Sequence, residues 1–182
     1  MDGRRYGQRR VTGIVAALAW LAALALSADA NGPALAREAP WAVHLRAVDD
    51  ALADRDLSAA EHAWRNAYIA ALGTWRWEGL LEVGDAYLRI GTVSGLQQAA
   101  TAKARNLYLT ALFRARQQSA LDGVLQTAEA FARLGDRDMV AQCVRIAESL
   151  AADAPDPGAP ARVHAFAARL ANVLLVTGEV RQ

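Results

Sequence analysis

Beyond residue 40, apolar positions recur at helical spacing, and short turns rich in glycine or aspartate separate them. Val43, Leu45, Val48 and Leu52 give residues 41–53 an apolar stripe. Ala60, Ala63, Trp64, Ala67 and Ile69 do the same for residues 57–72, with Asp56 as the cap and Gly73 as the end. A third helix spans 75–90 and stops at Gly91. Thr92 or Ser94 is placed to cap the fourth. Residues 96–118 contain neither Gly nor Pro and predict one long helix, or two with a kink, carrying Leu96, Ala100, Leu107, Tyr108, Ala111, Leu112 and Ala115. Ser119 is placed to cap a fifth helix that runs to Leu134, and Gly135-Asp136 makes the next turn. Met139, Val140, Cys143, Val144, Ala147 and Leu150 mark a sixth helix. DAPDPGAP at 153–160 breaks the pattern before a last helix over 161–176, which ends at Gly178. No run alternates apolar and polar residues long enough to predict a strand. The expectation is an all-α chain of about seven helices, with short turns favouring antiparallel neighbours.

Part of this pattern occurs twice. WRWEGLLEVGDAYLRIG at 75–91 matches GVLQTAEAFARLG at 123–135, so that Gly84 falls on Ala128, Tyr87 on Phe131, Arg89 on Arg133 and Gly91 on Gly135. Small residues where helices cross, an aromatic one turn later and glycine before the turn resemble the tetratricopeptide repeat. Ala60, Trp64 and Ala67 match the second-helix positions of an earlier repeat, and Ala147 those of a later one; Val140 and Val144 fit less well. Ala171, Leu174 and Gly178 resemble an incomplete fourth repeat. The resemblance covers most of 41–153 and is degenerate. From Asp49 to Asp85 to Glu129 the register advances 36 and then 44 residues between hairpins, where the family steps 34, and the excess is expected to lengthen the fourth helix by about two turns.

The resemblance implies a short right-handed α-solenoid of three repeat-like hairpins and a C-terminal capping helix, occupying 41–178, with an extended peptide in its concave groove. One groove position is then held by Asp49, Asp85 and Glu129, another by Ala42, Glu78 and Asp122, and a third by Arg89 and Arg133. An acidic row bordered by arginines suits a partner segment bearing basic residues and a few carboxylates or amides. Read without the family, Asp85–Arg89 and Glu129–Arg133 are ordinary i,i+4 pairs on a wet helix face. Trp75 and Trp77 diverge at i,i+2, so one of them is a candidate surface contact.

The first 30 residues set the location. Arg4, Arg5, Arg9 and Arg10 precede an apolar stretch over 11–27 and the small-residue site Ala28-Asp29-Ala30, the pattern of a secretory signal peptide. The alternative is a membrane anchor, although 17 residues of helix span roughly 25 Å against a hydrocarbon core of roughly 30 Å. Either way the body is expected outside the cytoplasm, periplasmic where the host has two membranes. Arg9-Arg10 as a twin-arginine signal is poorly continued by Val11-Thr12-Gly13, and no cysteine follows the apolar stretch to carry a lipid. Residues 31–40 read as a linker.

Charge and composition narrow the chemistry. Residues 1–30 carry +2, so the remaining 152 residues of this +1 chain carry −1, which gives no electrostatic case for nucleic acid. Cys143 is the one cysteine, so no intramolecular disulfide forms. His44, His62 and His164 lack a second ligand at metal-site spacing, and no phosphate loop or nucleophile elbow is present. No catalytic residue, metal or cofactor is therefore assigned. Trp64, Tyr68, Trp75, Trp77, Tyr87 and Tyr108 either form core or line a pocket for a flat or apolar ligand. The expected function is an exported, non-catalytic scaffold for another protein. The alternatives are a self-associating assembly subunit and, behind it, a small-molecule binder or enzyme built on the aromatics.

Overall fold

The computed structural model describes residues 38–179, with side chains through residue 171. Among them stand seven helices and no strand: α1 Ala42–Ala53, α2 Leu57–Gly73, α3 Trp77–Ser94, α4 Gln97–Gln117, α5 Leu121–Leu134, α6 Arg137–Ala152 and α7 Ala159–Glu179. The candidate signal segment and most of the linker lie outside the described residues. None of the described helices is long and apolar enough to cross a membrane.

Most helix boundaries follow local chemistry. Asp56 Oδ1 accepts from the Ala59 amide at 2.9 Å, and Asp136 Oδ1 from the Met139 amide at 3.3 Å, so both aspartates cap the helices they precede. Asp56→Ala is expected to cost about 1 kcal/mol in urea denaturation. An unchanged midpoint would show that this cap contributes nothing. Gly135 ends α5 at φ 77°, a left-handed conformation that glycine adopts without steric cost. Pro160 sits in the first turn of α7, where its missing N–H has no carbonyl to meet. The long fourth helix is continuous.

Four expected caps and stops are corrected. Gly73 is the last residue of α2 but not a left-handed stop; Thr74 follows as the cap and Trp75 takes the left-handed turn at φ 58°. Gly91 lies within α3, and the left-handed stop is Gly95. The reason is packing: a Cβ on Gly91 would stand 2.2 Å from the Cβ of Ala100, so glycine is required there by the close approach of α3 and α4. The Thr92 and Ser94 hydroxyls are turned back onto the Leu88 and Gly91 carbonyls of α3, and Leu96 precedes α4 without a side-chain cap. Ser119 occupies the turn at φ 50°, and Ala120 precedes α5 without a side-chain cap. The eight extra residues of the second step are shared. The stop of α3 comes four residues later than the match to Gly135 implies, and α4 starts four residues before the position matching Leu57.

Each helix packs on the next in sequence, and the odd-numbered helices also pack on one another, α1 on α3, α3 on α5 and α5 on α7. Small residues permit this closeness. Trp41 lies over Gly79, and Trp77 lies over Gly123, with the ideal Cβ positions 2.9 and 2.7 Å from the rings. Trp64 packs on Tyr87 with centroids 4.7 Å apart; 44 residues later Tyr108 meets Phe131 edge-on at 5.8 Å. Val43, Ile69 and Leu96, expected on apolar stripes, are exposed.

Candidate partner-binding cleft

Packing of α3 against α5 leaves a surface cleft of about 410 Å³ on the polar sides of both helices. Glu78, Glu82 and Asp85 line it from α3, Asp122, Gln126, Glu129 and Arg133 from α5, and Trp77 and Leu81 form its apolar floor. Five of the nine candidate residues read from the sequence therefore share one wall set: Glu78, Asp85, Asp122, Glu129 and Arg133. Trp77 joins them as a buried floor residue, 8% exposed, while Trp75 is 66% exposed at the α2–α3 turn. The surface contact expected of one tryptophan is therefore available only to Trp75. Asp49 and Arg89 lie outside the cleft, on α1 and α3.

The charges are arranged differently from the i,i+4 expectation. Asp49 pairs with Arg89 at 2.7 Å, Asp85 with Arg133 at 2.8 Å and Glu129 with Arg169 at 2.7 Å. Each carboxylate thus reaches the arginine of the next odd-numbered helix, because those helices pack side by side and bring the two rows together. Asp122 is paired the same way with Arg162 at 3.2 Å. Sequence reading missed Leu81, Glu82 and Gln126 of the lining and the paired arginines Arg162 and Arg169. Arg169 stands 36 residues after Arg133, the first repeat step, and that spacing was the available signal. Pairs this exposed contribute about 0–1 kcal/mol each, so their main effect is to fix the positions of the carboxylates.

Asp85 is the most constrained of them. It accepts the Tyr108 hydroxyl as well as two contacts from Arg133 Nη2. Burial, then the Asp85 carboxylate, pushes the Tyr108 phenol above its ordinary range. Burial disfavours charge on Arg133, but Asp85 outweighs it and the guanidinium is held more firmly protonated. At the other end, burial acts to raise the Glu78 carboxyl, yet the Arg76 hydrogen bond at 2.7 Å and a backbone N–H leave it lowered. Glu82 accepts from Trp41 Nε1 at 2.9 Å. The cleft is acidic in its lining and largely neutralised at its rim.

The aromatic cluster fills itself. Trp64 Nε1 donates to the Val83 carbonyl, Tyr68 stacks on Trp64, and the Lys103 ammonium lies over the rings of Trp64 and Tyr87 at 4.4 and 4.7 Å. Cys143 is buried, and burial followed by the nearby Asp136 charge pushes its thiol up to about 12. A thiol of the unfolded chain titrates near about 8.5, so this group's contribution to stability is complete below that pH and is lost as pH rises toward the folded value. Iodoacetamide labelling of Cys143 at neutral pH is expected to proceed at the rate of global unfolding, read by mass spectrometry with and without urea. Fast labelling of the folded chain would contradict the burial. Among the described residues no three His, Cys, Asp or Glu side chains gather as a metal site.

The chain matches no protein family, no curated protein and no solved structure.

Proposed function

We propose that this chain is an exported, non-catalytic protein-binding scaffold. Its hairpins stack as a short right-handed α-solenoid of antiparallel helices related to the tetratricopeptide repeat, and it takes an extended partner segment along the odd-numbered helices. The observation that carries the reading is the cleft between α3 and α5, where carboxylates from two helices are held in fixed positions above an apolar floor. Fixed side chains spare a partner the entropy of ordering them, and this favours recognition by display. The lining suits lysine or arginine alternating with apolar side chains on the partner. Export rests on the N-terminal segment, with a retained anchor as the alternative. The exposed Trp75 supports a second reading, self-association through the α2–α3 turn.

Peptides selected by display on the full chain are expected to be rich in Lys and Arg. Asp122 and Gln126 are exposed and lie one turn apart on α5, so Asp122→Lys/Gln126→Lys changes the lining from five carboxylates against one arginine to four carboxylates against three cations without touching its floor. Fluorescence polarisation is expected to show at least about a tenfold loss of affinity, with Trp75→Ala unchanged. Selected peptides that bind the double variant as well as the parent would refute the cleft. A concentration-dependent oligomer dissolved by Trp75→Ala would favour the second reading.

A further inference from the structure

A second groove lies between α4 and α6, lined by Arg116 from the last turn of α4 and by Gln142, Arg145, Ile146, Ser149 and Leu150 from α6. Its volume is about 320 Å³. Its charge differs from that of the first cleft. Among the described residues the Arg116 guanidinium has no hydrogen-bonded or ion-paired partner, and that of Arg145 is bonded to Gln142 Oε1 and to no carboxylate. Two arginines on two helices thus face one space with no anion supplied by the described residues.

The packing explains why the groove is open. Between α2 and α4 the corresponding space is closed by Arg114 of α4, whose guanidinium donates to the Ala71 and Leu72 carbonyls at the end of α2 and to the Arg76 carbonyl. Thirty-six residues on, the place of Arg114 is taken by Leu150, which has no donor to send across. What remains is an aliphatic floor of Ile146 and Leu150, amide and hydroxyl groups from Gln142 and Ser149, and two cationic forks. Guanidinium favours a planar or tetrahedral oxyanion, and the volume is at the small end for a ligand site.

We infer that the α4–α6 groove binds a small aliphatic anion, a carboxylate or phosphate group held by Arg116 and Arg145 with its short alkyl chain on Ile146 and Leu150. The site is independent of the α3–α5 cleft. Titrations of the ¹⁵N-labelled full chain with octanoate, octylamine and inorganic phosphate test it. Octanoate is expected to give saturable shifts at Arg116, Gln142, Arg145 and Ser149. Its affinity should fall about tenfold or more in Arg116→Gln/Arg145→Gln, as expected for loss of charged hydrogen bonds, while thermal unfolding is unchanged. Phosphate is expected to shift the same residues more weakly. Octylamine binding as well as octanoate would overturn the charge recognition, and so would a double variant that keeps full octanoate affinity. Phosphate binding as tightly as octanoate would overturn the aliphatic part. Should the double variant unfold, Arg145→Gln alone serves, since that side chain is exposed and bonded only to Gln142.

Discussion

Gly91→Val is expected to lower the unfolding free energy by about 3 kcal/mol, the upper end for forcing volume into a close-packed contact. The added Cβ would meet that of Ala100 at 2.2 Å, and the atom on the other side is a backbone carbonyl, from Leu96, at 3.5 Å. Neither can swing aside, so α3 and α4 must separate along the longest hairpin of the domain. Gly73→Ala is the internal control. Gly73 also lies in a helix, but a Cβ there meets nothing within 4 Å, and the substitution should stabilise by about 0.5–1 kcal/mol through helix propensity. Urea denaturation of the two variants should move the midpoint in opposite directions. Opening the other wall should also help: Gly91→Ala and Ala100→Gly are expected to couple favourably in a double-mutant cycle. A Gly91→Val protein as stable as the parent would remove the close approach as the reason for glycine.

Arg114→Ala should cost about 2–4 kcal/mol, combining a vacated volume with carbonyls deprived of a donor. Arg114 is 6% exposed and has no carboxylate partner among the described residues. The compensation is the end of α2, where unpaired carbonyls and the helix dipole present negative potential. Its guanidinium also stacks under the Trp75 ring at 5.1 Å, and Gln118 Nε2 donates to the Trp75 carbonyl at 2.9 Å. These contacts hold Trp75 at its left-handed φ. Loss of Arg114 should therefore change the fluorescence of the exposed indole as well as the midpoint. Arg114→Lys should recover only part of the loss, because its donors radiate from one point, whereas Nη1 and Nη2 reach carbonyls of three residues from two separate nitrogens. Wild-type stability in the alanine variant would mean that the turn is held by backbone bonds alone.

These two residues also mark the limit of what the sequence makes legible. The all-helical composition, the cap at Asp56 and the turn at Gly135-Asp136 were readable because each depends on its neighbours within one turn. Gly91 was not. It sits in the same local pattern as Gly135, and only the position of Ala100 on another helix distinguishes a crossing from a stop. The acid–arginine rows illustrate the same limit. Asp85 and Arg89 have the spacing of a pair within one helix, and so do Glu129 and Arg133, yet the contacts run between helices because the odd-numbered ones lie side by side. Residues in the cleft were found as a set because their register repeats. The two arginines of the second groove were missed because Arg116 and Arg145 occur in no repeated pattern.

The rows of paired charge have ends, and both ends are alanine. Stepping back 36 residues from Arg89 reaches Ala53 on α1, and stepping forward 36 from Glu129 reaches Ala165 on α7. Both are exposed. Among the described residues, a second molecule stacked on either end would find alanine at these two positions, with no arginine there for its acid and no acid there for its arginine. The sequence that welds hairpin to hairpin therefore offers no such rung at either end for joining molecule to molecule. This matters for the proposed solenoid, since the open ends of such a fold are otherwise natural starting points for unlimited head-to-tail growth.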